Sequence, residues 1–360
     1  MQGGSVPAGT EPAKREIAGR RRLFGVRRRS GRCDAGAPST PMNISSRCFR
    51  FLLALVALPL AAVAADAPKK VLVVTVTAGF RHSSIPTAER ILAEMAAKSG
   101  KFTVEFASQP SGMPAAPGRP RPGPKGAEDP AHVEALKKFA ADEKAYWEKW
   151  TPQLAAVLQK LSPANLKNYD AVLFASTTGD LPLPDKQALV DWVASGKGFI
   201  GVHAATDTFH KSGRFAGFPP YVAMIGGAFR THGPQVTVEC KVDDPKHAAC
   251  AGLPATWTVF DEIYEFKDYN QARVHSLVSL DKHPQTKAPG HNAIAWSRTH
   301  GKGRVFYTSL GHREDVWDPA HTDKQGRKNS PEVAQQFQQH LLGGILWALG
   351  LAPGEAKHAP

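Results

Sequence analysis

Three histidines in the 360-residue chain follow apolar runs directly. His82 lies in AGFRHSS after KKVLVVTVT, His203 in GFIGVHAATDTF, and His312 in GRVFYTSLGHRED. Imidazole serves near neutral pH as base, acid, metal ligand or hydrogen-bond donor. The chain has fourteen histidines, so one at a strand end is unremarkable, but three at separate strand ends form a constellation. GGAFRTHGP adds His232, and FDEIYEF adds Asp261, Glu262 and Tyr264. A carboxylate among imidazoles suits zinc or another divalent ion. No HxH or HxxxH spacing is present, so sequence alone leaves open whether these residues converge. The Asp261-Glu262 pair reads equally well as a solvated turn.

Positioning these residues is the task of an alternating strand and helix pattern. KKVLVVTVT is a near-continuous β-branched run, as expected of a strand buried on both faces of a parallel sheet. Pro86 opens a helix with Ile91, Leu92 and Met95 on one face and Gly100 as its stop. FTVEFA, YDAVLFAS and GFIGV continue the strands. PDKQALVDWVASGKG supplies an amphipathic helix, and Ser330-Pro331 opens a last one. QVTVECKV, SLVSL, NAIAWS and GRVFYTSLG are further strand candidates. The pattern predicts an α/β, doubly wound, mainly parallel sheet with helices on both faces. Ligands in such sheets sit beyond the carboxyl ends of the strands. His82, His203 and His312 belong there, with Ser83, Thr206, Asp207 and Arg313 beside them. Residues 109 to 165, Pro/Gly-rich and then charged and helical, read as an insertion.

The chain carries a formal charge of +13, of which residues 1 to 65 supply +8, with eleven Lys or Arg against three acids. The remainder forms no basic stripe, which argues against nucleic-acid binding. Residues 42 to 65 have the charged start, apolar run and small-residue end of a secretory signal. Translation is therefore expected to start near Met42, with residues 1 to 41 an upstream or disordered basic leader. The signal predicts a periplasmic or secreted protein with no stable membrane insertion after cleavage. Cys240 and Cys250 either close a small disulfide loop in that compartment or are two unrelated small residues.

AGFRHSS, YDAVLFAS, GFIGVHAATDTF, GGAF…H, DEIYEF, AWSRTHGKGRVFYTSLGHREDVW and GGILWALG together resemble the ThuA-like (trehalose utilisation) family over about residues 70 to 350. The domain is taken as residues 66 to 352, with 353 to 360 a tail. The resemblance implies a flavodoxin-like sheet similar to class I glutamine amidotransferases. In those enzymes the elbow position occupied here by His203 is a cysteine, paired with His and Glu. No cysteine stands near His203, and imidazole is a poor substitute for a thiol in acyl transfer, so amidotransfer is excluded. Departures from the family pattern are the long insertion, Gly-Pro after His232, His-Ala in PKHAACAGLP, and the cysteine pair.

The family link implies a small carbohydrate partner of the trehalose or keto-glycoside type. His203, His312 and Glu262 are the candidate catalytic groups. His82, Ser83, Thr206, Asp207, His232, Asp261, Tyr264, Arg313 and Trp317 are the candidate substrate-binding residues. His82, His203 and His312 are the candidate ligands of a divalent metal such as zinc. Three activities fit: a keto-sugar lyase, isomerase or glycoside-cleaving enzyme; a non-catalytic sugar-binding protein; or a metal-dependent ester or amide hydrolase. As a loop-tip residue, His203 should tolerate replacement by Ala without loss of the fold.

Overall fold

The computed structural model describes residues 67 to 212, 215 to 322 and 326 to 358. The signal-like segment 42 to 65 lies outside the described residues. Among the described residues twelve strands run in chain order: β1 Lys69–Val74, β2 Phe102–Ala107, β3 Ala171–Ala175, β4 Gly198–Val202, β5 Ala228–His232, β6 Val236–Val242, β7 Thr256–Asp261, β8 Tyr264–Lys267, β9 His275–Lys282, β10 Pro289–His300, β11 Gly303–Thr308 and β12 Lys357–His358. The α-helices are α1 Ile85–Ser99, α2 Pro130–Leu158, α3 Pro163–Leu166, α4 Lys186–Ala194, α5 Pro219–Ile225, α6 Glu314–Trp317 and α7 Pro331–Ala348.

The main sheet has the order β2-β1-β3-β4-β11-β10-β9-β6-β7, with β12 beside β10. From β2 to β11 every pairing is parallel. That half carries the flavodoxin-like order, in which chain direction across the sheet reverses between β1 and β3. From β11 to β7 every pairing is antiparallel. The sheet is thus mixed, its parallel part preceding a second half that hairpin pairing extends. A separate ribbon pairs β5 with β8 and sets His232 opposite Tyr264.

Side-chain alternation along each strand divides the core in two. Val71 and Val73 of β1 join Ile91, Leu92, Phe337, Leu341 and Ile345 beneath α1 and α7. Leu72 and Val74 join Leu154, Leu158, Leu189, Val193 and Tyr221 beneath the end of α2, α4 and α5. The sequence elements end where their cap residues predict. Gly100, at φ +61°, closes α1 with its N–H on the Ala96 carbonyl. Asp185 caps α4 through the Ala188 N–H at 2.9 Å. Ser330 occupies the N-cap position of α7, but its hydroxyl makes no cap bond. The insertion becomes an irregular loop followed by the 29-residue α2, anchored by Trp150, Leu154 and Leu158. Cys240 and Cys250 are free, buried thiols. No helix among the described residues is long and apolar enough to cross a membrane.

Two buried histidines away from the strand-end cluster make the fold acid-sensitive. Burial lowers His247 and His340 each to about 4. The His340 Nδ1–H donates to the Ala249 carbonyl at 2.8 Å, and Nε2 is buried without a partner. Both folded-state values lie below the unfolded value of 6.5, so the unfolded chain binds more protons between about pH 4 and 6.5. Stability is full above that window and falls as pH drops through it, by up to about 1.4 kcal/mol per pH unit for each histidine. Urea unfolding at pH 7, 5.5 and 4.5 should show the decline, and His340→Leu should make it shallower. Equal stability at the three pH values would contradict the burial argument.

Candidate active site

His82 follows β1, His203 directly follows β4 and His312 follows β11, so all three lie at the carboxyl edge of the parallel half. Glu262 arrives from the opposite side, in the turn between β7 and β8. The chain folds sharply to bring these groups together. His203 has φ +50°, a left-handed conformation uncommon for a residue with a side chain. Such a backbone costs on the order of 1–3 kcal/mol and clusters at functional sites. His203 therefore retains the tight strand-to-helix elbow while presenting an imidazole. Gly311, at φ +118°, turns the β11 loop so that its N–H donates to Asp261 Oδ2 at 2.7 Å. His312 is the next residue.

His203 Nε2 is the hub. It lies 3.2 Å from His82 Nε2, 3.3 Å from His312 Nδ1 and 3.1 Å from the Tyr264 hydroxyl. Its Nδ1 is 2.8 Å from the Ser309 carbonyl, which can only accept. The proton therefore sits on Nδ1, and Nε2 presents a lone pair to the cluster. Glu262 Oε2 is 3.2 Å from His312 Nδ1 and 3.7 Å from His203 Nε2. The other carboxylate oxygen, Oε1, is 2.9 Å from His232 Nδ1. One donor atom from each of His82, His203, Glu262 and His312 lies within 4.8 Å of every other.

Electrostatics divide the cluster. Burial, then the neighbouring imidazoles, lower His203 well below its ordinary value and His82 to about 3. Both are neutral lone-pair donors at neutral pH. Burial also opposes the charged form of His312, but the hydrogen bond and charge of Glu262 outweigh it and raise its pKa. Burial raises Asp261 to about 6, against the Gly311 N–H. Burial and the nearby carboxylate of Glu262 raise the Tyr264 hydroxyl well above its usual value, so it remains a neutral donor.

His82, His203, His232, Glu262, Tyr264 and His312 come together, with Ser83 exposed beside His82. The other sequence candidates are committed elsewhere. Thr206 is buried against the Tyr307 hydroxyl at 3.0 Å, and Asp207 pairs with His210 at 2.5 Å. Asp261 is fully buried and shapes the His312 loop rather than facing a substrate. Arg313 grips Asp315 at 2.9 and 3.1 Å and reaches Gln235 at 2.9 Å. Trp317, expected to stack on a sugar, is fully buried, packs on Phe337 and donates to the Gly311 carbonyl at 2.9 Å. Its ring supports the His312 loop from beneath. His203 itself is 0% exposed, so it is a buried hub and not a loop-tip residue. The Ser309 carbonyl that fixes its tautomer escaped sequence reading because a backbone group carries no residue signal.

The ThuA family, described as trehalose utilisation, matches residues 123–348, more than half of the chain. The matched range contains His203, His232, Glu262 and His312, and begins after His82. No curated protein matches the sequence. Among solved structures, a putative ThuA-like protein from Parabacteroides merdae is 18% identical, with a TM-score of 0.51 over 80% of this chain and 92% of that one. A putative ThuA-like protein from Bacteroides uniformis is also 18% identical, with a TM-score of 0.48 over 80% of this chain and 94% of that one. At this identity the likeness is one of fold.

Proposed function

We propose, since the chain belongs to the ThuA (trehalose utilisation) family, that its histidine–carboxylate centre performs metal-assisted acid/base chemistry on a sugar of the trehalose or keto-glycoside type. The observation that carries this reading is the convergence of three imidazoles and one carboxylate within 4.8 Å. Tetrahedral zinc ligands at about 2.0–2.1 Å stand roughly 3.3 Å apart. Four of the six edges among His82, His203, His312 and Glu262, at 3.2, 3.3, 3.2 and 3.7 Å, match or approach that spacing, and all six lie within 4.8 Å. The Ser309 carbonyl behind His203 accepts its Nδ1–H and so orients the ring, as expected of a metal-binding imidazole.

His82, His203, His312 and Glu262 would hold the cation. A divalent ion there supplies Lewis-acid polarisation of a carbonyl oxygen. The remaining chemistry belongs to the side chains. His82 and His203, neutral through burial, keep their lone pairs directed inward. His312, with its side chain 20% exposed against 0% for His203, is the inner imidazole that a substrate meets. His232, 43% exposed, holds the outer oxygen of Glu262 and faces solvent.

A keto group acidifies the neighbouring C–H. Glu262 accepts that proton on Oε1, the oxygen turned from the cation toward His232, and the electron pair it leaves forms the C=C bond of an enolate as the carbonyl pair moves onto oxygen. In elimination the carbonyl re-forms, the C=C bond shifts to the anomeric carbon, the glycosidic C–O bond breaks with its pair on the departing oxygen, and that oxygen takes a proton. In isomerisation the proton returns to the adjacent carbon. The same donor set favours a second reading, a metal-dependent hydrolase of an ester or amide. The signal-like segment supports action outside the cytoplasm.

The test is incubation of the protein with 3-keto-trehalose, followed by NMR, with and without a chelator. The metal content of the protein is measured in parallel. Chelator-sensitive turnover with one ion per chain is the expected result. Sugar binding without turnover would assign a non-catalytic binding protein. Ester or amide cleavage without sugar turnover would assign the hydrolase.

A further inference from the structure

A cavity of about 690 Å³ opens beside the histidine centre, roofed by the insertion. Its size lies within the roughly 300–1,000 Å³ of small-molecule pockets. His82 belongs to both places. Its Nε2 meets His203 at 3.2 Å, and its ring also lines the cavity. The ring is only 5% exposed, yet Nδ1 has no hydrogen-bond partner. A buried polar atom without a partner costs stability unless a ligand or water satisfies it.

The walls suit a pyranose ring. Phe80, Tyr146 and Trp147 supply aromatic surface, and Arg81 and Gln109 supply polar groups. Phe80 stands edge-on to His82, with ring centroids 4.8 Å apart, and is 66% exposed. An exposed phenyl at the mouth of a cavity is surface available to a ligand. Tyr146 and Trp147 meet edge to face at 4.9 Å, and the Tyr146 hydroxyl donates to the Pro114 carbonyl at 2.7 Å. That bond pins the proline-rich stretch of the insertion as a wall. Arg81 is anchored by the Thr75 carbonyl at 2.9 Å, and Gln109 accepts the Thr77 N–H at 2.9 Å. Aromatic faces for the apolar side of a sugar, with a few fixed polar groups for its hydroxyls, are the elements of a carbohydrate site.

We propose that this cavity is a second sugar subsite, holding the glycosyl unit linked to the one on which the histidine centre acts. The inference rests on the carbohydrate reading of that centre. It makes the insertion a specificity element that selects a disaccharide or longer glycoside over a monosaccharide.

Calorimetric titration of the full chain with trehalose and with glucose tests the proposal, using wild type, Phe80→Ala and Tyr146→Ala. Phe80 is exposed, so its truncation leaves the core untouched. The expected result is tighter binding of trehalose than of glucose. Phe80→Ala should weaken trehalose binding about 3- to 10-fold, the worth of one aromatic contact, and leave glucose binding unchanged. Tyr146→Ala should act in the same direction. Trehalose binding that neither variant alters would overturn the subsite alone, as would equal loss for both sugars. Binding of neither sugar would overturn the carbohydrate reading together with the subsite.

Discussion

A His203→Asn protein should fold and lose at least about 100-fold in affinity for zinc or cobalt, with turnover falling in parallel. The choice of replacement follows from the backbone. At φ +50° the left-handed region penalises most side chains, and Asn tolerates it better than most. His203→Ala is a harsher change than its sequence position suggests. It leaves a cavity at a fully buried site and strands the Ser309 carbonyl, which accepts the imidazole N–H at 2.8 Å. Together these should cost about 2–4 kcal/mol of stability. The pair of variants therefore separates hub from scaffold. Thermal unfolding should rank wild type, Asn, Ala in falling order, while metal titration should find both variants impaired. Undiminished metal affinity in a folded His203→Asn protein would remove His203 from the centre.

Glu262→Gln carries the second large effect. The substitution keeps the shape and removes the charge that His232 and His312 share from opposite sides at 2.9 and 3.2 Å. Turnover should fall roughly 10²- to 10⁴-fold, the range for loss of a positioned acid or base. The pH profile should move with it. Burial pulls the His312 pKa down, and Glu262 more than offsets that, by hydrogen bond and by charge. In the metal-free protein, without the carboxylate, His312 should release its proton at lower pH, although Asp261 and Glu314 still favour the charged ring. The sign extends to stability. A raised histidine stabilises the fold fully below its unfolded value and loses that contribution as pH rises through the folded value. Glu262→Gln should therefore lose more stability at pH 5.5 than at pH 8. Histidine resonances followed by NMR would read the shift directly, and an unchanged His312 titration would contradict the pairing.

The parallel half of the sheet was legible because its strands are buried on both faces and read as unbroken apolar runs. VLVV of β1 supplies Val71 and Val73 to one core and Leu72 and Val74 to the other. The strand-end rule then located His82, His203 and His312 without any local motif. The antiparallel half was less legible. Its strands appear as candidates, but nothing in QVTVECKV or NAIAWS indicates which neighbour each will pair with. Glu262 was named together with Asp261, and adjacency could not divide their roles. Asp261, the last residue of β7, points inward to the Gly311 N–H, while Glu262 lies in the turn beyond. Thr206, Asp207, Arg313 and Trp317 sit at the right strand ends with their side chains bonded to other parts of the protein. Proximity in sequence to a strand end gives position along the sheet, not side-chain direction. The aromatic wall of Phe80, Tyr146 and Trp147 joins segments more than sixty residues apart, and only the folded insertion brings them to one cavity.

The most direct test of the centre is solvent deuterium exchange into 3-keto-trehalose, followed by NMR in D₂O with wild-type and Glu262→Gln protein. Exchange at the carbons flanking the keto group reports proton removal itself, whether or not a bond then breaks. Glu262 as the base predicts rapid wash-in of deuterium with wild type, slowed to near the uncatalysed rate in the variant. A bound keto-sugar whose flanking protons exchange no faster than in buffer would contradict acid/base chemistry at these residues.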